Sequence, residues 1–423
     1  MTPARDYLFA LCDAGGNAPP MLGAVRRLVG RGHRVRVIAD TSLAAGVAKA
    51  GAAFLPWTTA PNRPDQSVAS DVMRDWEVAD PMQRLARLRD RVMIGPAARY
   101  AADVTAALQA APADVVVSSD LIFGPMIAAE ATGLPWAVLS SNLCYLPIPG
   151  IPPFGPGLMP ARSEVERRQA AEMQAGISDF LGVALPILNE ARAGFGLRPL
   201  DNPLDQPASA HRFLAATCRD FDFPAESLPP ALRYVGPILD EPEWIEDMVP
   251  NVVPEGPEPL VLVAFSTTFQ DHIGVIQRVI DALDSLSARA VVTLGPALDG
   301  ARLRAGERVA VVANASHDHL LRKADAVVTH AGHGTVMRAL SNGVPLLCLP
   351  MGRDQHDNAI RVVAHGAGLQ LDPSATSDTV RSALLRLLAE PSFRDSARRL
   401  GEAVNRSIRS SALVDALEEC LPG

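Results

Sequence analysis

The chain has 423 residues, 48 % of them hydrophobic and 20 % charged, with a formal net charge of −8. That composition excludes disorder as the main state and suits two domains of about 200 residues each. The acidic balance argues against a nucleic-acid partner, which needs a dense basic stripe. No run of eighteen apolar residues is present to span a membrane. Only Lys49 and Lys323 among the 39 basic residues are lysines, a compositional trait. The five cysteines are dispersed without a CxxC or metal-ligand spacing. They read as reduced thiols of a cytoplasmic protein, and no metal site is expected.

In chain order, the apolar run from Asp6 to Cys12 predicts a buried strand. A turn-rich loop to Pro20 follows, then a helix from Met21 to Arg31, a stop at Gly32 and a strand from Val35 to Ile38. Strand, loop, helix, strand is a βαβ unit, hence a parallel sheet. The pattern recurs in a strand from Asp114 to Ser118, a helix from Met126 to Thr132 and a strand from Trp136 to Ser140. Ser163 to Phe195 reads as helical. The proline-rich, acidic stretch around 238–258 is the linker candidate.

After it the alternation restarts with strands at Leu260–Phe265, Ala290–Leu294, Val309–Val312, Ala326–Thr329 and Pro345–Leu349. The expected fold class is therefore α/β, with two Rossmann-like doubly wound domains facing a cleft. Ligands bind such sheets outside the carboxyl ends of the strands.

The densest constellation follows the strand ending at Thr329. His330, Gly332, His333, Gly334 and Thr335 form a glycine-rich loop, with a helix expected to open near Thr335. Free backbone N–H groups, a helix dipole and a hydroxyl converge there, an arrangement suited to a phosphate. Further on, Asp354 and Gln355 follow another apolar strand. A carboxylate beside an amide suits neighbouring sugar hydroxyls.

The stretch from Thr329 to Gly368 resembles the donor signature of the family 1 glycosyltransferases, of the two-domain glycosyltransferase-B fold. The family pattern reads here as His330, Gly332, Gly334, Thr335, Gly343, Pro345, Asp354, Gln355 and Asn358. In style the chain is similar to bacterial enzymes that glycosylate antibiotics and other natural products. The resemblance implies an acceptor-binding domain over 1–237, completed by a C-terminal helix at 405–423. It implies a linker at 238–258 and a nucleotide-sugar domain over 259–404. His330, with Gly332 and His333 beside it, and the Gly334–Thr335 turn would hold the diphosphate. Asp354 and Gln355 would hold sugar hydroxyls, His317 the nucleoside, and Ser266 and Thr268 would lie by the diphosphate. No cofactor is expected beyond a nucleoside-diphosphate sugar of the UDP or dTDP type. Asn142, Tyr145 and Trp76 are candidates for the acceptor side.

Two departures stand out. Arg338 occupies the place of a glutamate that contacts ribose in relatives, and an arginine accepts no hydrogen bond. Asn17 stands where relatives carry the catalytic histidine. Asp120 resembles the aspartate that orients that histidine, and Asp13 lies in the same loop as Asn17. Three readings stay open: Asp120 or Asp13 is the base while Asn17 positions the acceptor, the acceptor is acidic enough to need little help, or catalysis is poor.

The expected function is an inverting, metal-independent transfer of a sugar to a small apolar natural product. The protein is expected to be a monomer or homodimer without nucleic-acid or membrane partners. The alternatives are a nucleotide-sugar epimerase of the same fold, or a non-catalytic donor-binding relative that assists a partner enzyme.

Overall fold

A computed structural model describes residues 3–78, 80–239, 252–265, 272–295, 298 and 302–420. The first sheet contains β1 (Asp6–Ala10), β2 (Arg34–Ala39), β3 (Ala53–Pro56), β4 (Val115–Ser119), β5 (Trp136–Ser140), β6 (Arg212–Ala215) and β7 (Leu232–Tyr234). Its strand order is β3-β2-β1-β4-β5-β6-β7, and every pairing is parallel. The second contains β8 (Leu260–Ala264), β9 (Arg289–Thr293), β10 (Val309–Val312), β11 (Ala326–Thr329), β12 (Leu346–Cys348) and β13 (Gly368–Gln370). Its order is β10-β9-β8-β11-β12-β13, again all parallel. Both sheets are doubly wound, as expected from the sequence.

Why these runs become central strands is visible in β1. Leu8 and Ala10 face one apolar layer, while Tyr7, Phe9 and Leu11 face the opposite one. A strand covered on both faces carries no polar alternation. The order reverses between β1 and β4 and between β8 and β11. Loops leaving neighbouring strands at those points diverge to opposite faces and leave a crevice. The loops concerned are 11–17 and 119–122 in the first half, and the turn after Thr329 in the second.

Four boundaries differ from the expectation. The first helix, Ala18–Arg31, opens three residues before Met21, with Pro19 and Pro20 in its first turn. Proline is tolerated there because the first amides of a helix have no intrahelical acceptor. The helical stretch from Ser163 breaks into Glu164–Gly182 and Leu185–Gly194. Pro186 in the second helix offers no N–H and would crowd the carbonyl of Gly182, so one helix ends there and another begins. The helix after the glycine-rich loop opens at His333, with Gly332 as its N-cap. Helix Pro391–Ile408 packs on the second half through Ala397, Leu400 and Val404. The return to the first half is made by Ala412–Glu418, whose Leu413 and Leu417 join the layer under β1.

The halves also meet through a buried ion pair. Arg361 Nη2 lies 2.8 Å from Asp222 Oδ1, with side chains 5 % and 2 % exposed. Tyr234 donates to Asp222 at 2.6 Å, and the guanidinium lies 4.5 Å over the Phe223 ring. Removing one member of such a pair strands the other charge in a dry site. Asp222→Ala is expected to lower stability by about 3–5 kcal/mol in urea denaturation. A midpoint unchanged from the parent would show that the pair is not holding the halves.

Candidate active site

Asp120 follows β4 directly and is buried. Its N–H donates to Leu139 O at 3.3 Å, and Tyr145 Oη donates to the Asp120 carbonyl at 3.3 Å. Burial pushes the Asp120 carboxyl up to about 6, against opposing hydrogen bonds from Ser140 and Ser119, and the charge of Asp354 adds to the rise. Asp120 belongs to the first half and Asp354 to the second, and the charge of Asp354 is felt at Asp120.

The loop after β1 is stapled by Asn17. Its Nδ2 donates to Cys12 O at 3.0 Å, and its Oδ1 accepts from Ala14 N at 3.1 Å. Both ends of the amide therefore serve the loop itself. Asp13 turns toward the β2 side: its Oδ2 accepts from Ser42 Oγ at 2.7 Å and lies 3.8 Å from Arg63 Nη1. Its Oδ1 accepts from Gly15 N at 3.3 Å. Of the three first-half candidates, Asp120 is the one whose carboxyl is poised by its surroundings.

In the second half, the amides of His333, Gly334 and Thr335 precede the first helical bond, made by Val336 N to Gly332 O. They are the orphan donors of a helix N-terminus. Gly334 is exposed and Thr335 half-buried. Gly332 allows the close approach of His330: a β-carbon there would lie 2.6 Å from His330 Nε2. The His330 Nδ1 lies 3.4 Å from Thr329 Oγ1, and the ring stacks on Phe265 with centroids 6.1 Å apart. His272 stacks on Phe265 as well, at 6.0 Å. Burial pulls His330 down to about 3, and the charges of His272 and Arg353 act in the same direction. The imidazole is therefore neutral in the free protein.

Asn358 ties this loop to the next. Its Oδ1 lies 3.0 Å from His333 Nδ1, while its Nδ2 donates to Ala331 O at 3.1 Å and to Asp354 Oδ2 at 2.8 Å. His333 Nε2 lies 3.3 Å from Ala216 O of the first half. Gln355 is buried, with its Oε1 accepting from Met351 N at 2.7 Å. His317 is held at 3.1 Å by Thr293 Oγ1, and burial pulls it down to about 4.

Arg338 is buried and paired at 2.6 Å with Asp318. An ion pair to Asp318 is thus one of Arg338's contacts, and Arg338 stays a candidate on the donor side. Asn142 is half-buried, with Oδ1 accepting from Leu143 N at 2.8 Å. Tyr145 packs edge-on against Phe213 at 5.5 Å. Trp76 is 37 % exposed, next to Asp75, which pairs with Arg353 of the second half at 2.9 Å. Ser266 and Thr268 lie outside the described residues. No group of metal-ligating side chains occurs among the described residues.

Sequence reasoning missed the bracing roles of Asn358, Asp75 and Arg353. Asn358 carried a signal, since it closes the motif quoted above. Asp75 and Arg353 are 278 positions apart, and no local pattern pairs them. If the Asn17 amide is a loop staple, Asn17→Ala should cost about 1–2 kcal/mol of stability. Nucleoside-diphosphate affinity should be unchanged, as read by denaturation and calorimetry. Unaltered stability would contradict the staple.

Residues 277–419 match the family described as the erythromycin biosynthesis protein CIII-like C-terminal domain. The 4'-demethylrebeccamycin synthase of Lentzea aerocolonigenes is 28 % identical over 427 residues, covering 97 % of each chain. The aklavinone 7-beta-L-rhodosaminyltransferase of Streptomyces galilaeus is 25 % identical, covering 97 % of this chain and 94 % of its own. Among solved structures, the glycotransferase of kitacinnamycin superposes over the whole of both chains with a TM-score of 0.79 at 22 % identity. Two all-parallel doubly wound sheets and full-length likeness to glycosyltransferases make the chain a glycosyltransferase of the glycosyltransferase-B fold, of the natural-product type.

Proposed function

We propose that the protein moves a sugar from a UDP- or dTDP-sugar to a hydroxyl of a small apolar natural product, with inversion and without a metal ion. Residues 1–237, with the C-terminal helix, serve the acceptor, and residues 259–404 serve the donor. The observation that carries this reading is the buried carboxyl of Asp120 at the end of β4, beside the reversal of strand order, in a chain alike over its full length to glycosyltransferases.

The roles follow from that geometry. The Asp120 carboxylate takes the proton of the acceptor hydroxyl, whose oxygen attacks the anomeric carbon. The bond from that carbon to the diphosphate breaks on the opposite face, and its electron pair leaves with the diphosphate. The amides of His333, Gly334 and Thr335, with the helix dipole, stabilise the growing charge in place of a cation. Asp354 and Gln355 hold sugar hydroxyls, and His317 borders the nucleoside. Tyr145, Asn142 and Trp76 line the acceptor side. Asn17 and Asp13 shape the loop beneath it.

A general base must be ionised, so activity is present above the carboxyl's pKa and lost below it. kcat/KM should fall as pH drops through about 6. Asp120→Asn should remove that inflection and lower kcat by about 10²–10⁴-fold. A variant with the parent's rate and profile would place the base elsewhere. The experiment that identifies the substrates is a donor-by-acceptor screen read by mass spectrometry. Epimerised donor without transfer would favour an epimerase, and nucleotide binding without any turnover would favour a non-catalytic relative.

His330 supplies a second test. Its ring is neutral in the free protein, with Nδ1 3.4 Å from Thr329 Oγ1, and a neutral imidazole has one N–H. Contact with a phosphate oxygen through the other nitrogen requires a proton, and a nearby anion favours it. Diphosphate binding at neutral pH should therefore take up a proton. Calorimetry in buffers of different ionisation enthalpy should detect this, and His330→Ala should abolish it. Binding without uptake in the parent would mean that His330 does not meet the phosphate.

A further inference from the structure

The turn carrying Asp354 and Gln355 is held by the first half at both of its ends. On one side Arg353 Nη2 reaches Asp75 Oδ2 at 2.9 Å. Asp75 is 5 % exposed, and its other carboxylate oxygen is buried without a partner among the described residues. Arg353 sits in the left-handed region at φ 56°. A residue with a side chain stays there only where its surroundings hold it.

On the other side Asp357 accepts the N–H of Gly155 at 2.5 Å, and the Gly157 N–H also bonds it. Gly157 has φ 68°, and a β-carbon there would lie 2.6 Å from the His356 carbonyl oxygen. The strap of residues 154–157 is thus seated directly on the first turn of helix Gln355–Ala364. It leads back to the candidate base. Phe154 packs on the core of the second half and stands edge-on to Tyr145 at 6.5 Å. Tyr145 in turn bonds the Asp120 carbonyl at 3.3 Å.

We propose that Asp75 and Asp357 are positioning residues that fix the sugar turn against Asp120 and keep water from the anomeric carbon. This rests on the glycosyl-transfer reading above. Neither residue touches the reacting atoms. Releasing either tie misplaces the sugar relative to the acceptor and admits water. Water oxygen then bonds to the anomeric carbon in place of the acceptor oxygen. The diphosphate leaves as before, and the proton of water passes to solvent. Asp75 makes no contact with the Arg361–Asp222 pair, whereas Asp357 Oδ1 lies 4.0 Å from Arg361 Nη1, so Asp75→Asn is the variant that leaves that pair untouched.

The test uses the full chain with a donor and acceptor that it accepts. Glycosylated acceptor and free sugar are measured for the parent, Asp75→Asn, Asp357→Ala and Gly157→Ala. UDP and dTDP affinities are measured by calorimetry. Misplacement of this order costs about 10–10²-fold in transfer. The share of donor lost to water should rise several-fold, with diphosphate affinity within about twofold of the parent. Hydrogen exchange should show the Gly155 and Gly157 amides protected in the parent and released in Asp357→Ala. The proposal is overturned if the variants keep the parent's partition between acceptor and water. It is equally overturned if diphosphate affinity falls in step with transfer, the sign of a general structural role. A parent that binds diphosphate yet never transfers sugar contradicts the glycosyl-transfer reading and this proposal with it. An active parent with unchanged variants contradicts the positioning alone.

Discussion

A carboxylate removed from water resists ionisation, and Asp120 is such a carboxylate. Burial and the charge of Asp354 raise its pKa to about 6, while hydrogen bonds from Ser140 and Ser119 keep the shift moderate. The group is thereby ionised at neutral pH yet basic enough to take a proton. The proposed chemistry depends on this balance, because the neighbouring loop offers no imidazole: Asn17 spends its amide on Cys12 and Ala14.

The sheets explain how such a group comes to face a diphosphate site. Asp120 leaves β4 beside the point where the first strand order reverses, and His330 leaves β11 beside the equivalent point of the second. Each sheet alone presents half of a site. In the proposed reading the second half binds the diphosphate through amides and a helix end, which needs no lysine and suits an acidic chain. The first half contributes the base and the strap. Ties between the halves, at Asp222, Asp75 and Asp357, set the distance between them.

Much of this was legible in the sequence. The central strands are apolar throughout because both faces are covered, so Tyr7 to Leu11 and Val327 to Thr329 could be read without a structure. The glycine-rich turn into a helix after Thr329 was legible because its signals are local: glycines, a histidine and a helix start within a few residues. Helix ends were less legible. Pro19 and Pro20 read as loop but occupy a first turn, where a missing N–H has no cost. Contacts distant in sequence were not legible. Nothing local links Arg338 to Asp318, Asp75 to Arg353 or Gly155 to Asp357.

The central claim is a spatial one: acceptor hydroxyl at Asp120, diphosphate at the His333–Thr335 amides. A crystal structure of the protein with a nucleoside diphosphate and an acceptor tests it most directly. The account predicts the diphosphate on those amides and the acceptor hydroxyl within about 3 Å of the Asp120 carboxylate. A hydroxyl that instead meets Asp13, or a diphosphate bound away from the turn after Thr329, would contradict it.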